Sequence, residues 1–363
     1  MIAAGLTRNK RILLIDKSEK KTNDRTWCFW EAGTGFFEPV VYKRWDRIWF
    51  HATGFSKEFG IAPYQYKMIR GLDFYNYCFD AIAQQTGIDI VNGNVSGLSC
   101  AGNNIQFAID GRQHNYRDAV VFNSIWDDAA VKKQDAIHLL QHFKGWIIET
   151  PQPFFTPGEA TLMDFRTDQS NGTCFVYVLP LSATRALVEY TLFSEKLLHK
   201  TDYDKGLANY ISTWLKTDEY VIAEEEFGVI PMTSASFPWY VNGIYNIGTA
   251  GGQTKASSGY TFQFIQKQSA AIVKQIKDNT LNPQSKPGQS PRRFHFYDAV
   301  LLQVLYNHPA AGSHVFTSLF KKNDPQRIFA FLDNETSLQQ DIGILKTLPT
   351  LSFLKAALRQ IFS

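Results

Sequence analysis

Apolar and polar positions follow two rhythms along this chain, and the switches between them mark its elements. Arg11-Ile-Leu-Leu-Ile-Asp16 is a continuous apolar run closed by an acid, the pattern of a buried parallel strand. Trp45, Ile48, Phe50 and Phe55 predict strands between 42 and 55, with a Pro-containing loop over 56–66. Leu72, Tyr75, Phe79 and Ile82 share one face of a helix over 72–84. Residues 88–98 read as strand, and Asn103-Asn104 as a turn before Ile105–Ile109. Asp110-Gly111 is a hairpin turn into a second antiparallel strand, and 119–122 is a further buried strand. Residues 1–6 resemble the last turns of a helix.

In the second half, strands are expected at 146–149, 160–163, 173–179 and 185–192. The turns between them (Pro151, Pro153, Pro157-Gly158, Asn171-Gly172) are spaced as in an antiparallel sheet, with a helix over 204–214 covering one face. Gly243–Ile247 is a short strand ending at Gly248, and from Phe262 a helical period sets in with Phe262, Ile265, Ile272 and Ile276 on one face. Between them lie Gly248, Gly251, Gly252 and Gly259, with Ser257 and Ser258 as candidate caps. Glycines at such a junction let backbone amides approach a polar or anionic ligand. Residues 282–291 read as a linker and 294–363 as mostly helical. His138 and His142, at i, i+4, are expected on a solvated helix face; no third ligand or adjacent Glu base accompanies them, so no metal is expected.

Length and charge narrow the class. A chain of 363 residues suggests about two domains. A net charge of +3 is too small to argue for nucleic acid. No run of about 18 apolar residues is present, so no membrane-spanning helix is expected. Cys28, Cys78, Cys100 and Cys174 are scattered, as suits reduced thiols and a cytoplasmic location. The 28 Phe suit a large apolar cavity as well as an ordinary core.

Two places supply acids in apolar settings. In Ala186-Leu-Val-Glu-Tyr-Thr-Leu-Phe193, strand alternation puts Glu189 on the face of Leu187 and Thr191, opposite Val188 and Tyr190. A carboxyl facing an apolar cavity is desolvated and stays protonated near neutrality. The second place is Glu224-Glu-Glu226, where three adjacent acids on a strand cannot all face one way.

Five ordered stretches together resemble the lycopene cyclase family, within the FAD-binding fold shared with aromatic hydroxylases and geranylgeranyl reductases. They are Asn23-Asp-Arg-Thr-Trp-Cys-Phe-Trp30, Phe143-Lys-Gly-Trp146, Phe175–Phe193, Glu224–Met232 and Ile247–Phe264. The resemblance implies an α/β, Rossmann-like FAD-binding fold with an antiparallel-sheet substrate domain and a helical C-terminus. The expected division is 1–41, 85–142 and 226–281 for the cofactor, 42–84 and 143–225 for the substrate, and 282–363 as a cap. A first strand and its G-x-G-x-x-G turn would fall before Met1, so the chain reads as N-terminally shortened.

The implied activity is cyclisation of the ends of lycopene or another linear carotene to β-type rings, with reduced FAD stabilising the carbocation and NAD(P)H as its reductant. Glu189 and Glu226 are the implied catalytic residues, with Glu225 in support; Tyr190 stands where the family has a second acid. Implied cofactor contacts are Asp16, Arg25, Thr26, Trp27, Gly248, Thr249, Gly251, Gly252, Ser258, Gly259 and Tyr260, and Trp27 or Tyr260 would add a cation–π face. The same glycine turn would serve a flavin-dependent isoprenoid reductase or hydroxylase, and a chain without the diphosphate turn would be an inactive fragment. Leu351, Leu354, Leu358 and Ile361 share one helical face beside Lys355 and Arg359, which suits either core packing or a peripheral seat on a membrane, where a carotene dissolves.

Overall fold

Alternation sets the largest element of the computed structural model, which describes residues 1–362. The chain runs through β1 (Ile12–Asp16), β2 (Thr26–Ala32), β3 (Lys43–Trp45), β4 (Arg47–Ala52), β5 (Phe55–Gly60), β6 (Tyr64–Arg70) and α1 (Gly71–Ala83). There follow β7 (Ile88–Asn92), the meander β8 (Val95–Ala101), β9 (Asn104–Ile109) and β10 (Arg112–Arg117), β11 (Val121–Asn123) and α2 (Asp128–Lys132). Next come β12 (His138–Glu149), β13 (Glu159–Asp164), β14 (Thr173–Pro180), β15 (Arg185–Ser194), α3 (Lys200–Tyr210) and β16 (Val221–Thr233). The last part holds β17 (Tyr240–Val241), β18 (Ile244–Asn246) and α4 (Phe262–Lys277), then α5 (Arg292–Asn307), α6 (Ala311–Lys322), α7 (Pro325–Leu332), α8 (Leu338–Leu345) and α9 (Thr350–Phe362).

Seven strands form one sheet in the order β16-β12-β15-β14-β13-β4-β5, antiparallel except where β13 meets β4. Its two faces bury different cores. Trp146, Val176, Val188 and Tyr190 pack under Tyr203, Leu207 and Tyr210 of α3. The opposite face, with Phe175, Leu179, Leu187 and Phe193, packs against Trp30, Trp45, Tyr66 and Met68 of the sheet β2-β6-β3 and against α5–α7. Aromatic stacking ties these layers: Phe50 lies 4.5 Å from Phe320, and Phe165 lies 5.7 Å from Phe316. The parallel pairings expected of a dinucleotide-type fold are β1 with β7 and β11 with β18.

Several expectations give way to this arrangement. Residues 56–66 are mostly strand: Ser56 and Glu58 alternate to one face of edge strand β5, and on the other Phe59 is buried with the Lys57 ammonium over its ring. His138 and His142 lie on β12, where four residues span about 13 Å; their partners are Thr233 for one, and Ser194 and Tyr203 for the other. The expected seams at 142/143 and 225/226 fall inside β12 and β16, and the seam at 41/42 would part β2 from its neighbours β6 and β3. The helices beyond 291 share one hydrophobic core with the sheets. Residues 2–4 form a single 3-10 turn.

Candidate functional site

Strand register brings the two acids together. In the sheet, β12 lies between β15 and β16, and its Gly145 is opposite both Glu189 and Glu226. Glu189 is on the face of Leu187 and Phe193, as alternation requires. Glu224 and Glu226 fall on that same face, and Glu225 turns the other way. The Glu225 carboxylate is exposed and pairs with Lys144 at 3.0 Å, which removes it from the pair it was expected to support.

Each carboxyl of the pair has one hydroxyl donor. Thr191 Oγ1 donates to Glu189 Oε1 at 2.8 Å, and Thr26 Oγ1 donates to Glu226 Oε2 at 2.7 Å. Glu226 Oε1 is buried with no hydrogen-bond partner. Protein surrounds both side chains, and each keeps a little accessible surface. Burial raises the Glu189 pKa well above the carboxylate range, and repulsion from Glu226 adds to the shift. Burial also raises Glu226, against the pull of the Thr26 hydroxyl. Both shifts favour a shared proton, and the larger upward shift falls on Glu189.

Neutral groups lie around the pair. Tyr66 and Tyr260 meet through their hydroxyls at 3.3 Å, and burial pushes both upward, with Tyr177 and the Cys28 thiol. Trp30 packs 4.3 Å from Tyr260 on one side and stacks 4.5 Å from Phe329 on the other. Along the same sheet face a shallow groove runs past Leu187, Ile147, Met68 and Tyr42 to Thr26. Thr26 thus belongs both to the groove wall and to the carboxyl pair.

Tyr260 connects this cluster to the glycine turn. Gly248, Gly252 and Gly259 take positive φ (61°, 72° and 71°). A Cβ on Gly251 would sit 2.4 Å from the Asn246 carbonyl, so this turn needs glycine. Beside it lies a small cleft lined by Trp126, Phe237, Thr249 and Gly252. Gln141 Oε1, against Gly259, and the Ser258 hydroxyl are buried without partners. Lys255 anchors the turn through the buried Asp298 at 2.7 Å and the partly buried Asn334 at 2.7 Å. The α4 N-cap is Thr261, with no side-chain cap from Ser257 or Ser258.

The remaining expected residues lie apart from the pair. Asp16 closes β1, half exposed, 3.4 Å from Lys20. Arg25 pairs with Asp24 at the surface and lies over Trp27. Trp27 packs among Phe74, Tyr75 and Phe262, so the aromatic face over Tyr260 belongs to Trp30 instead. Tyr66, Tyr177, Cys28 and Gly145 were missed. Alternation in Phe175-Val-Tyr177 carried the signal for Tyr177; Tyr66 was hidden in the misread loop. Among the described residues no group of three or more His, Cys, Asp or Glu is arranged to hold a metal.

The parallel strand pairs with their glycine turn, joined to a large mixed sheet, form an α/β fold of the FAD-binding type. Solved structures with this fold include p-nitrophenol 4-monooxygenase from Pseudomonas putida (TM-score 0.56, 12% identity, 98% of this chain and 94% of that one). A geranylgeranyl bacteriochlorophyll reductase-like protein from Thermoplasma acidophilum superposes with TM-score 0.52 at 10% identity, covering 96% and 95%. A flavin-dependent brominase gives TM-score 0.56 at 12% identity over 92% and 88%. No curated protein matches the sequence. The pattern of the family described as "Lycopene cyclase protein" matches residues 1–358, and the chain belongs to that family.

Proposed function

We propose that this protein is a lycopene β-cyclase, closing the ends of a linear carotene into rings by acid–base catalysis. The observation that carries this reading is the Glu189–Glu226 pair, raised in pKa by burial beside Tyr177 and Tyr260. Ring closure adds and removes one proton. The Glu189 O–H bond breaks as its hydrogen bonds to the terminal double bond, the neighbouring double bond closes the ring onto the resulting cation, and the Glu226 carboxylate takes the proton that leaves. Loss of that proton to solvent once the product has left, and uptake of a solvent proton by the pair, restores the starting state, so the product is an isomer. An alkene is a very weak base, which is why the acid must be neutral, in contact and shielded from water.

The residues at the glycine turn fit an FAD. A planar polar ring would find the backbone amides of Gly248–Ala250, those of Gly251 and Gly252 being bonded back to Ile247 and Thr249, and the unpartnered Ser258 hydroxyl, with Asp16 available for ribose hydroxyls. Reduced FAD, kept so by NAD(P)H, would supply negative charge near the cation without being consumed. Trp30 and Tyr260 add the aromatic faces of this chain. On the outside, Leu351, Leu354, Leu358 and Ile361 of α9 stay exposed beside Lys355 and Arg359. This supports a peripheral membrane seat through which an apolar substrate enters.

The test is incubation of the purified chain with lycopene in liposomes, FAD and NADPH. Cyclic carotene formed with less than stoichiometric NADPH supports cyclisation. NADPH consumed one-for-one with product would instead indicate an isoprenoid reductase or hydroxylase.

A further inference from the structure

Two carboxyls on strands β15 and β16 are separated by the whole of β12, about 9–10 Å of backbone. They can face one another only if the strand between them presents nothing at that level. Gly145 is the residue at that level, opposite Glu189 on one side and Glu226 on the other. A Cβ there would lie 2.8 Å from Leu187 Cδ1, 2.9 Å from Glu226 Cγ and 3.2 Å from Glu226 Oε1. Leu187 could yield by rotating its terminal methyls. Glu226 Cγ is fixed by the first side-chain torsion, so it yields only if that torsion changes rotamer and carries the carboxyl away.

We infer that Gly145 is a positioning residue: its missing side chain is the lane through which Glu189 and Glu226 share a proton. The inference rests on the pair being the proton-handling centre proposed above, but its effect is on the proton itself and needs neither cofactor nor substrate to be seen. Adding a methyl group moves the Glu226 charge away from Glu189. The repulsion that helps keep Glu189 protonated then weakens, and Glu189 ionises at lower pH.

The test is a pH titration by infrared spectroscopy of the full chain labelled with 13C-glutamate, following the C=O stretch of the protonated carboxyl. Loss of the band in Glu189→Gln assigns it. Gly145→Ala is expected to lower the pH at which the band disappears by about one unit, a tenfold loss of proton affinity. Glu226→Gln, which removes the charge without crowding, shifts it in the same direction. Gly206→Ala is the control for crowding alone: its Cβ would press on Tyr190 at 2.7 Å on the opposite face of the sheet, and the band should not move. Should Gly145→Ala fail to fold, Gly145→Ala with Leu187→Ala removes the contact with Leu187 and keeps the one with Glu226. A folded Gly145→Ala variant with the wild-type midpoint overturns the role of the glycine while leaving the acid pair intact. No protonated band in the wild-type chain at neutral pH overturns both.

Discussion

Replacing Glu189 by Gln tests burial of a neutral acid through stability as well as rate. The amide keeps the shape and can accept the Thr191 hydrogen bond at Glu189 Oε1. In the wild-type chain the folded-state pKa is raised from an ordinary value of 4.5, first by burial and then by Glu226. The folded state therefore binds the proton more tightly than the unfolded state. Below pH 4.5 both states hold it and the acid costs nothing. As pH rises above that value the unfolded chain ionises first, and wild-type stability falls by about 1.4 kcal/mol per unit until the raised pKa is reached. Glu189→Gln has no such proton and escapes this loss. Urea denaturation of the two chains between pH 4 and 8 should show the variant gaining on wild type as pH increases. In activity assays the same variant should lose roughly 10²–10⁴-fold, the usual share of a general acid, or about 2.7–5.4 kcal/mol of barrier. A stability difference independent of pH would show that Glu189 is not held neutral, and the reasoning would be refuted.

Other perturbations follow from the same geometry. Thr26→Val removes the donor to Glu226 Oε2, so the Glu226 pKa should rise further and the ascending limb of the pH–rate profile should move to higher pH; unfolding measurements should show a loss of about 1–3 kcal/mol. Asp298→Ala leaves the Lys255 ammonium buried without its carboxylate, a cost of about 3–5 kcal/mol readable as a lowered Tm, and should loosen the glycine turn. Leu354→Glu with Leu358→Glu changes only exposed positions of α9, so folding should be unaffected while co-sedimentation with anionic liposomes is lost. Unchanged sedimentation would remove the membrane seat.

The elements that were legible in sequence are those decided by local pattern. Alternation alone put Glu189 on the Leu187 face, and the Asp110-Gly111 turn sits between β9 and β10. The turn at Gly248 precedes α4, which starts at Phe262 as its period required. What failed depended on neighbours. His138-Leu-Leu-Gln-His142 suits a helix by spacing, but β15 and β16 on either side make it a strand. Three consecutive acids gave no phase by themselves; pairing with β12 sends Glu226 inward and Glu225 to Lys144. Trp27 and Trp30 were equivalent as letters in one motif, and only the packing of Tyr260 and Phe329 distinguishes them. Gly145 was visible as a glycine but not as a gap, because its meaning requires knowing which two strands flank it.

The central claim is that a proton from this pair enters the product and no net electron does. Cyclisation in D2O, followed by mass spectrometry of the carotene and by NADPH absorbance, tests it most directly. One deuterium per ring closed, with NADPH consumption far below product formed, is the expected result. Rings without deuterium, or NADPH spent one-for-one with product, would contradict it.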